Sequence, residues 1–334
     1  MPICTSADVT GENSDCEEHK PVYQLCLDDC LLTLSLSLSL SVHTGSLCQL
    51  VVCGRAPLRD RIVGGENATA KAWPWQVSIH INGSRHNCGG TLITKDWVLS
   101  AAHCFQSFVL SRVVIYFGRL SQSSSNPNET NRTVSRIINH PKYGSPPYDN
   151  DIALIQLSSS VNFSEYIRSV CLAAAGSVFG GGTESWVTGW GRLQQEVSNI
   201  LQEVMMTVVS NRICNIFYRG SITSNMICAG QKGKSACPGD SGGPMVIRNG
   251  SLWIQSGIAN FIRGSCADPR YPNGFARVSK HQNWIKSYTG SNQPGFVAFN
   301  AASSNFRSIP NLILFPLSLT LSIIPFTFSL CLAS

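Results

Sequence analysis

The sequence predicts an all-β domain, a barrel or a sandwich, over residues 60 to 276, closed at its end by one helix. Short apolar runs recur in chain order: WQVSIHI (75–81), GTLITKDWVLSAAHC (90–104), RVVIYFG (112–118), DIALIQL (151–157), SWVTGWG (185–191) and PMVIRNGSLWIQSGIA (244–259). Clusters of Gly, Pro, Asn and Ser separate them, and these residues supply turns rather than continue an element. Few windows carry the helical period. The clearest is SKHQNWIKSYTG (279–290), where Ser279 is expected as N-cap and Trp284, Ile285 and Tyr288 fall on one face.

Both ends of the chain differ from this middle. Residues 1–52 hold LLTLSLSLSLSV (31–42), whose period of two would suit a half-buried strand but has no partner segments of similar character. It also follows Asp28, Asp29 and the acidic stretch Asp15 to Glu18, whereas the apolar part of a signal peptide follows a short basic region. A dinucleotide repeat of C and T read as codons gives such a Ser/Leu alternation. The segment is therefore left unassigned, as an artefact of gene prediction or a leader with a distorted signal sequence, and no function is placed on its cysteines. At the other end, NLILFPLSLTLSIIPFTFSLCLAS (311–334) carries no charge. Small residues at Asn300, Ala301 and Ala302 and a polar spacer (303–310) precede it, so the expectation is a linker over 291–310 followed by a glycosylphosphatidylinositol signal, with a membrane span as the alternative. Pro316 and Pro325 are tolerable in a disposable tail and awkward in a permanent helix.

Composition narrows the classes. With 43% hydrophobic and 13% charged residues in 334, the chain is globular. Its net charge of +6 is spread without a Lys/Arg run, which argues against a nucleic-acid partner. Fourteen cysteines without zinc-site spacing favour disulfides and an oxidising compartment. Asn67, Asn82, Asn128, Asn131, Asn162 and Asn249 each open an N-x-S/T sequon, which agrees with secretion and an extracellular location.

The chemistry lies in three contexts: His103 in LSAAHCF, Asp151 in DNDIALIQL, and Ser241 in GKSACPGDSGGPM (233–245). A serine hydroxyl is a poor nucleophile unless a base takes its proton, and the base needs a third group to orient it. Each residue alone reads as a turn, a cap or a structural histidine. Together, in this order and with these flanks, they resemble the chymotrypsin-like (trypsin-fold, S1) serine peptidases over residues 53 to 289, and within them glycosylphosphatidylinositol-anchored or membrane-associated members.

That resemblance implies two six-stranded antiparallel Greek-key barrels with the active site between them. It also implies the roles of the family template: His103 as base and then acid, Asp151 holding its tautomer, Ser241 as nucleophile, and the N–H groups of Gly239 and Ser241 as the oxyanion hole. RIVGG (61–65) is similar to the family's activation site. Cleavage after Arg61 would separate a short propeptide (53–61), which the implied Cys53–Cys171 bridge would keep attached, begin the peptidase domain (62–290) and free the Ile62 amine to pair with Asp240, so a trypsin-like activating protease is implied. The implied bridges are Cys53 with Cys171, Cys88 with Cys104, Cys214 with Cys228 and Cys237 with Cys266; a further family bridge falls at Ser185 and Ile247, both halves absent together.

Specificity is placed, by the same resemblance, at Ser235, Ala236, Asn260, Phe261, Ile262 and Asn273. Ser235 stands where trypsin-like members carry Asp, which argues against basic substrates. Ile262 and Asn273 stand where open-pocket members carry glycine, so the pocket is expected to be elastase-like and to take small aliphatic residues. Two positions depart from the pattern: Asn260 replaces a Ser whose hydroxyl bonds the triad Asp, and Pro238 stands at the pocket mouth. They motivate an alternative, a catalytically impaired homologue acting as a cell-surface binding module. The sequons and tail motivate another, an adhesive glycoprotein, which makes no use of the three motifs. No cofactor or metal is expected: in YFGRLSQSSSNPNETNRTV (116–134), where some relatives bind calcium, Glu129 is the only carboxylate. Protein or peptide substrates, macromolecular serine protease inhibitors and the membrane complete the expected partners.

Overall fold

The computed structural model describes residues 53–56, 66–83, 85–144, 148–193, 196–231, 233–261, 266, 268 and 270–301, all within the compact unit Val51–Ser334. The expectations for residues 1–52, for Arg61 and Ile62, for Ile262 and for the C-terminal tail lie outside the described residues. In chain order the strands are β1 (Glu66–Asn67), β2 (Gln76–Ile81), β3 (His86–Leu92), β4 (Trp97–Ser100), β5 (Val113–Phe117), β6 (Thr130–Asn139), β7 (Ala153–Leu157), β8 (Cys171–Ala173), β9 (Glu184–Gly189), β10 (Arg192–Leu193), β11 (Glu196–Val197) and β12 (Gln202–Val209). After the helix α1 (Asn211–Tyr218) come β13 (Met226–Gly230), β14 (Pro244–Asn249), β15 (Leu252–Phe261), β16 (Asn273–Arg277), the helix α2 (Gln282–Thr289) and β17 (Phe296–Val297).

Two closed six-stranded antiparallel barrels result, as the sequence led us to expect. The first runs β2-β3-β4-β7-β6-β5. Its β5 alternates, with Val113, Ile115 and Phe117 buried and Val114 and Tyr116 half-buried, the period that puts one face of a strand on a core. In the second, β14-β9-β12-β13-β16-β15 closes through the pairing of β15 with β14. Tryptophans gather in the largest core cluster: Trp73 packs edge-on to Trp75 and to Trp253 at 6.1 and 5.0 Å between centroids, and Trp190 is fully buried.

The closing helix departs from the sequence reading at its start. A 3₁₀ turn over Val278–Lys280 takes up Ser279, which is buried there, and α2 begins only after His281. Ser279 therefore caps nothing, while Ile285 is fully buried and Trp284 and Tyr288 pack partly buried on the core. α1 was not anticipated; its one local signal is Ser210, whose Oγ accepts the Ile213 N–H as a side-chain N-cap.

Three bridges tie the fold: Cys53–Cys171, Cys88–Cys104 and Cys214–Cys228. Cys53 and β17, the last strand among the described residues, meet on the same short strand, β8. Phe296 and Val297 pair in parallel with Leu172 and Ala173, Gly295 O accepts Leu172 N–H at 2.8 Å, and Phe299 stacks on Phe179 at 5.5 Å. Residues 295–301, within the expected linker, are thus strapped to the second barrel, with Phe299 and Ala301 buried. No helix among the described residues is long and apolar enough to cross a membrane. All six sequon asparagines are exposed.

Candidate active site

Strand pairing brings His103 and Asp151 together. β4 and β7 pair through Ser100 and Ala153, and the two residues lie just past that last pair, at the same end of the barrel. His103 falls in a 3₁₀ turn (Ala102–Phe105) that the Cys88–Cys104 bridge fastens to β3. Asp151 is fully buried; its Oδ1 accepts the His103 backbone N–H at 2.8 Å and its Oδ2 lies 2.6 Å from His103 Nδ1. A carboxylate there keeps the proton on Nδ1, leaving Nε2 as the free base, and His103 is 26% exposed toward the cleft.

Ser241 is delivered from the other barrel by a loop without room for side chains. Gly239 and Gly242 have φ of +104° and +80°, and a Cβ on Gly242 would collide with Ser100 Oγ. Gly89 N–H donates to Ser241 O at 2.8 Å, and Cys104 Sγ lies 3.9 Å from the same oxygen, which holds the serine beside the histidine turn. Among the described hydrogen bonds none joins His103 Nε2 to Ser241 Oγ, a contact that commonly tightens only when substrate binds.

The backbone around the serine is aimed by bonds on its opposite side. Arg192 N–H donates to Pro238 O at 2.9 Å, and Gly243 N–H donates to Asp240 O at 2.8 Å. In a trans peptide N–H and C=O point opposite ways, so the N–H groups of Gly239 and Ser241 are turned away from those partners. Neither donates to a protein acceptor among the described residues. Two unpartnered N–H groups flanking a serine form a site for a developing oxyanion. His86 adds to this: its Nε2 donates to Gly239 O at 2.8 Å and its Nδ1 faces Ser78 Oγ at 2.8 Å, while burial lowers it to about 4, so the ring is neutral at pH 7.

Asp240 points away from the serine into the second barrel. It accepts Gly191 N–H and Cys237 N–H, each at 2.7 Å, and a Cβ on Gly189 or Gly191 would collide with its carboxylate. Burial outweighs those two bonds and raises it to about 6. No cation pairs with it among the described residues. Gly189, Gly191, Arg192 and His86 escaped the sequence reading, because backbone donors and a buried ring leave no side-chain motif.

A cavity of about 150 Å³ opens beside Ser241, lined among others by Ala236, Pro238, Asn260, Phe261, Asn273 and Gly274. Ser235 does not line it. Asn273, buried on β16, reaches over it: its Nδ2 donates to Ser235 Oγ at 3.0 Å and its Oδ1 accepts Ala236 N–H at 2.8 Å. The Asn273 amide is therefore part of the cavity lining. The Phe261 ring lies against Gly274, where a Cβ would collide with it, and narrows the cavity from the side.

One expected bridge is corrected. Cys237 and Cys266 are free thiols. A bridge requires a two-electron oxidation as well as proximity. Burial, and then the Cys266 thiol beside it, hold the Cys237 thiol above the usual thiol range, so it stays protonated. At the position of the other absent family bridge, Trp186 pairs with Val246, one step along from Ser185 and Ile247; the buried Ser185 Oγ donates to Met206 O at 2.9 Å. Cys88, His103 and Cys104 also cluster, but both sulfurs are in a disulfide and cannot serve as thiolate ligands.

Comparison with known proteins places this arrangement among its relatives. The sequence pattern of the family described as Trypsin matches residues 62–285. Human Transmembrane protease serine 5 is 40% identical over 243 residues, covering 70% of this chain and 52% of that protein. Human Testisin is 37% identical over 265 residues (72% of this chain, 83% of that protein), and mouse Tryptase 37% over 273 residues (77% and 96%). The chain thus spans about half the length of the first of these relatives.

Proposed function

This chain belongs to the trypsin family, and from that premise we propose that it is a serine-type endopeptidase, made as a cell-surface zymogen, that cleaves after small aliphatic residues. Ser241 Oγ attacks the scissile carbonyl as its proton passes to His103 Nε2, and Asp151 stabilises the imidazolium through Nδ1. The oxyanion forms between the N–H groups of Gly239 and Ser241. His103 then gives its proton to the leaving amine, and water, activated by the same base, releases the acyl group. The observation that carries the reading is a pair of N–H groups at Ser241 with no protein acceptor among the described residues, beside the turn of a histidine held by a buried carboxylate.

Activation follows from Asp240. A buried carboxylate raised to about 6 and without a cation among the described residues is the group that a new α-amine at Ile62 would partner, and Cys53–Cys171 would keep the propeptide attached after cleavage at Arg61 by a trypsin-like protease. The Asn273 amide in the cavity lining and the Phe261 ring support a short, uncharged pocket. Exposed sequons support passage through the secretory pathway, with the uncharged tail (311–334) as anchor and macromolecular serine protease inhibitors as partners. A second reading, an impaired homologue acting as a binding module, draws on Asn260.

A fluorophosphonate probe tests both. After cleavage at Arg61 it is expected to label Ser241, with Ser241→Ala as the unlabelled control; no labelling of the cleaved chain favours the binding module. A peptide library then reads specificity, and dominant cleavage after Arg or Lys would refute the pocket assignment.

A further inference from the structure

Asp151 lacks the contact that its family uses to orient it, and the structure shows what stands in its place. Among the described residues Asp151 accepts hydrogen bonds only from the His103 backbone and His103 Nδ1. Asn260, at the position of the family's serine, does not reach it. Its Nδ2 donates to Tyr148 O at 2.9 Å, and its Oδ1 is buried without a partner among the described residues.

Tyr148 opens the turn that ends in Asp151, and that turn is strained. Tyr148 and Asn150 both adopt left-handed backbone, at φ of +67° and +52°, a conformation non-glycine residues keep only where surrounding contacts over-determine it. The turn's own segment contributes contacts, Gly144 N–H to Asp149 O at 3.2 Å and Asn150 Nδ2–H to Lys142 O at 3.3 Å, and the second barrel contributes more. Asp149, between the two and buried, accepts Thr223 Oγ1–H at 2.6 Å and Asn225 Nδ2–H at 3.2 Å, as well as Asn150 Nδ2–H at 3.0 Å. Asn150 Oδ1 lies 3.2 Å from His281 Nε2, just ahead of α2. Asn260 closes the same turn from β15, where the neighbouring Phe261 ring packs on Tyr148 at 5.4 Å.

We propose that Asn260 and Asp149 are positioning residues: they lock the Tyr148–Asn150 turn onto the second barrel and so orient Asp151 through its own backbone, in place of a direct hydroxyl bond. The triad aspartate is thereby tied to the strand that also walls the substrate pocket. This rests on the peptidase reading for its kinetic readout, but the hydrogen bond from His103 Nδ1 to Asp151 can be observed without any substrate.

The test uses the full chain cleaved at Arg61, as parent and as Asn260→Ala, Asn260→Ser and Asp149→Asn. Misplacing a catalytic group by about 1 Å lowers rates roughly 100-fold, so Asn260→Ala and Asp149→Asn are expected to lower kcat by about 10- to 100-fold with KM within about twofold. Asn260→Ser is expected to recover most of kcat by restoring a hydroxyl within reach of Asp151. In parallel, the downfield proton resonance of His103 Nδ1–H should broaden or move in Asn260→Ala and return in Asn260→Ser. Unchanged kcat and an unmoved resonance in Asn260→Ala overturn the proposal, as does an effect confined to KM, which would make Asn260 a pocket-lining residue only. If the parent neither hydrolyses peptides nor takes the probe, the peptidase reading fails; a resonance that still responds to Asn260→Ala would sustain the positioning role by itself, and one that does not would end it.

Discussion

The nucleophile loop (239–243) and the pocket wall contributed by β15 and β16 flank one cleft and belong to one barrel, yet they are built on opposite principles. The loop is made of backbone: glycines at positive φ, carbonyls tied on the far side, N–H groups left over. The wall is made of side chains: Asn273 bonded to Ser235, and Phe261 pressed on Gly274. Backbone geometry tolerates almost no substitution, whereas a wall side chain can be exchanged at the price of a different fit. Reaction type and substrate choice are therefore separable in this molecule.

The sharpest way to break that division is at the nucleophile. Ser241→Ala in the cleaved chain is expected to lower kcat by roughly 10⁶-fold on a peptide substrate. Next, Gly239→Ala places a Cβ 3.2 Å from Gly191 Cα and forces an alanine toward φ +104°. With the oxyanion donor displaced, kcat should fall by about 10²- to 10³-fold while KM barely moves. A change in KM alone would mean that Gly239 serves binding instead.

The wall should respond differently. Asn273→Gly removes the amide from the cavity lining, and the ratio of kcat/KM for aromatic over small aliphatic residues before the scissile bond is expected to rise by about 10- to 200-fold. The labelling rate of Ser241 by a small fluorophosphonate should stay near the parent's. An unchanged preference would show that Asn273 does not limit the pocket.

The smallest expected effect concerns the uncleaved chain, with Arg61→Gln blocking activation. Asp240 has a folded pKa of about 6 against an ordinary 3.8, so its stabilising contribution is full below pH 4 and lost as the pH rises through 6. His86, at about 4 against 6.5, acts the other way, its contribution lost as the pH falls through 4. The difference between parent and Asp240→Asn isolates the aspartate: on the order of 2 kcal/mol of pH-dependent stability should disappear in the variant between pH 4 and 7, read by denaturant melts at each pH. A parallel pair of curves would show that Asp240 is already paired before cleavage.

Much of this was legible before any coordinates. The β-rich runs cut by turn residues announce an all-β domain, a barrel or a sandwich, while the two barrels and the roles of His103, Asp151 and Ser241 come from the family that their flanking motifs resemble. Less legible were Gly191 and Arg192, because they act through N–H groups common to almost every residue. Likewise the hydrogen bond that joins Ser235 to Asn273, 38 positions away, has no local signal. Ser279 had the composition of a cap, but a 3₁₀ turn took it up first.

What the sequence alone determined is the set of chemical groups and the local freedom to place them: a base, a carboxylate, a hydroxyl, and glycines where the chain must turn left-handed. What only the tertiary structure decided is which groups face each other across the barrels: Asp149 with Thr223, Asn260 with Tyr148, His86 with Gly239, and the strap at 295–301 with β8. Local conformational preference is written within a few residues of chain, but hydrogen bonds between distant segments exist only after the two cores have closed and brought their ends together.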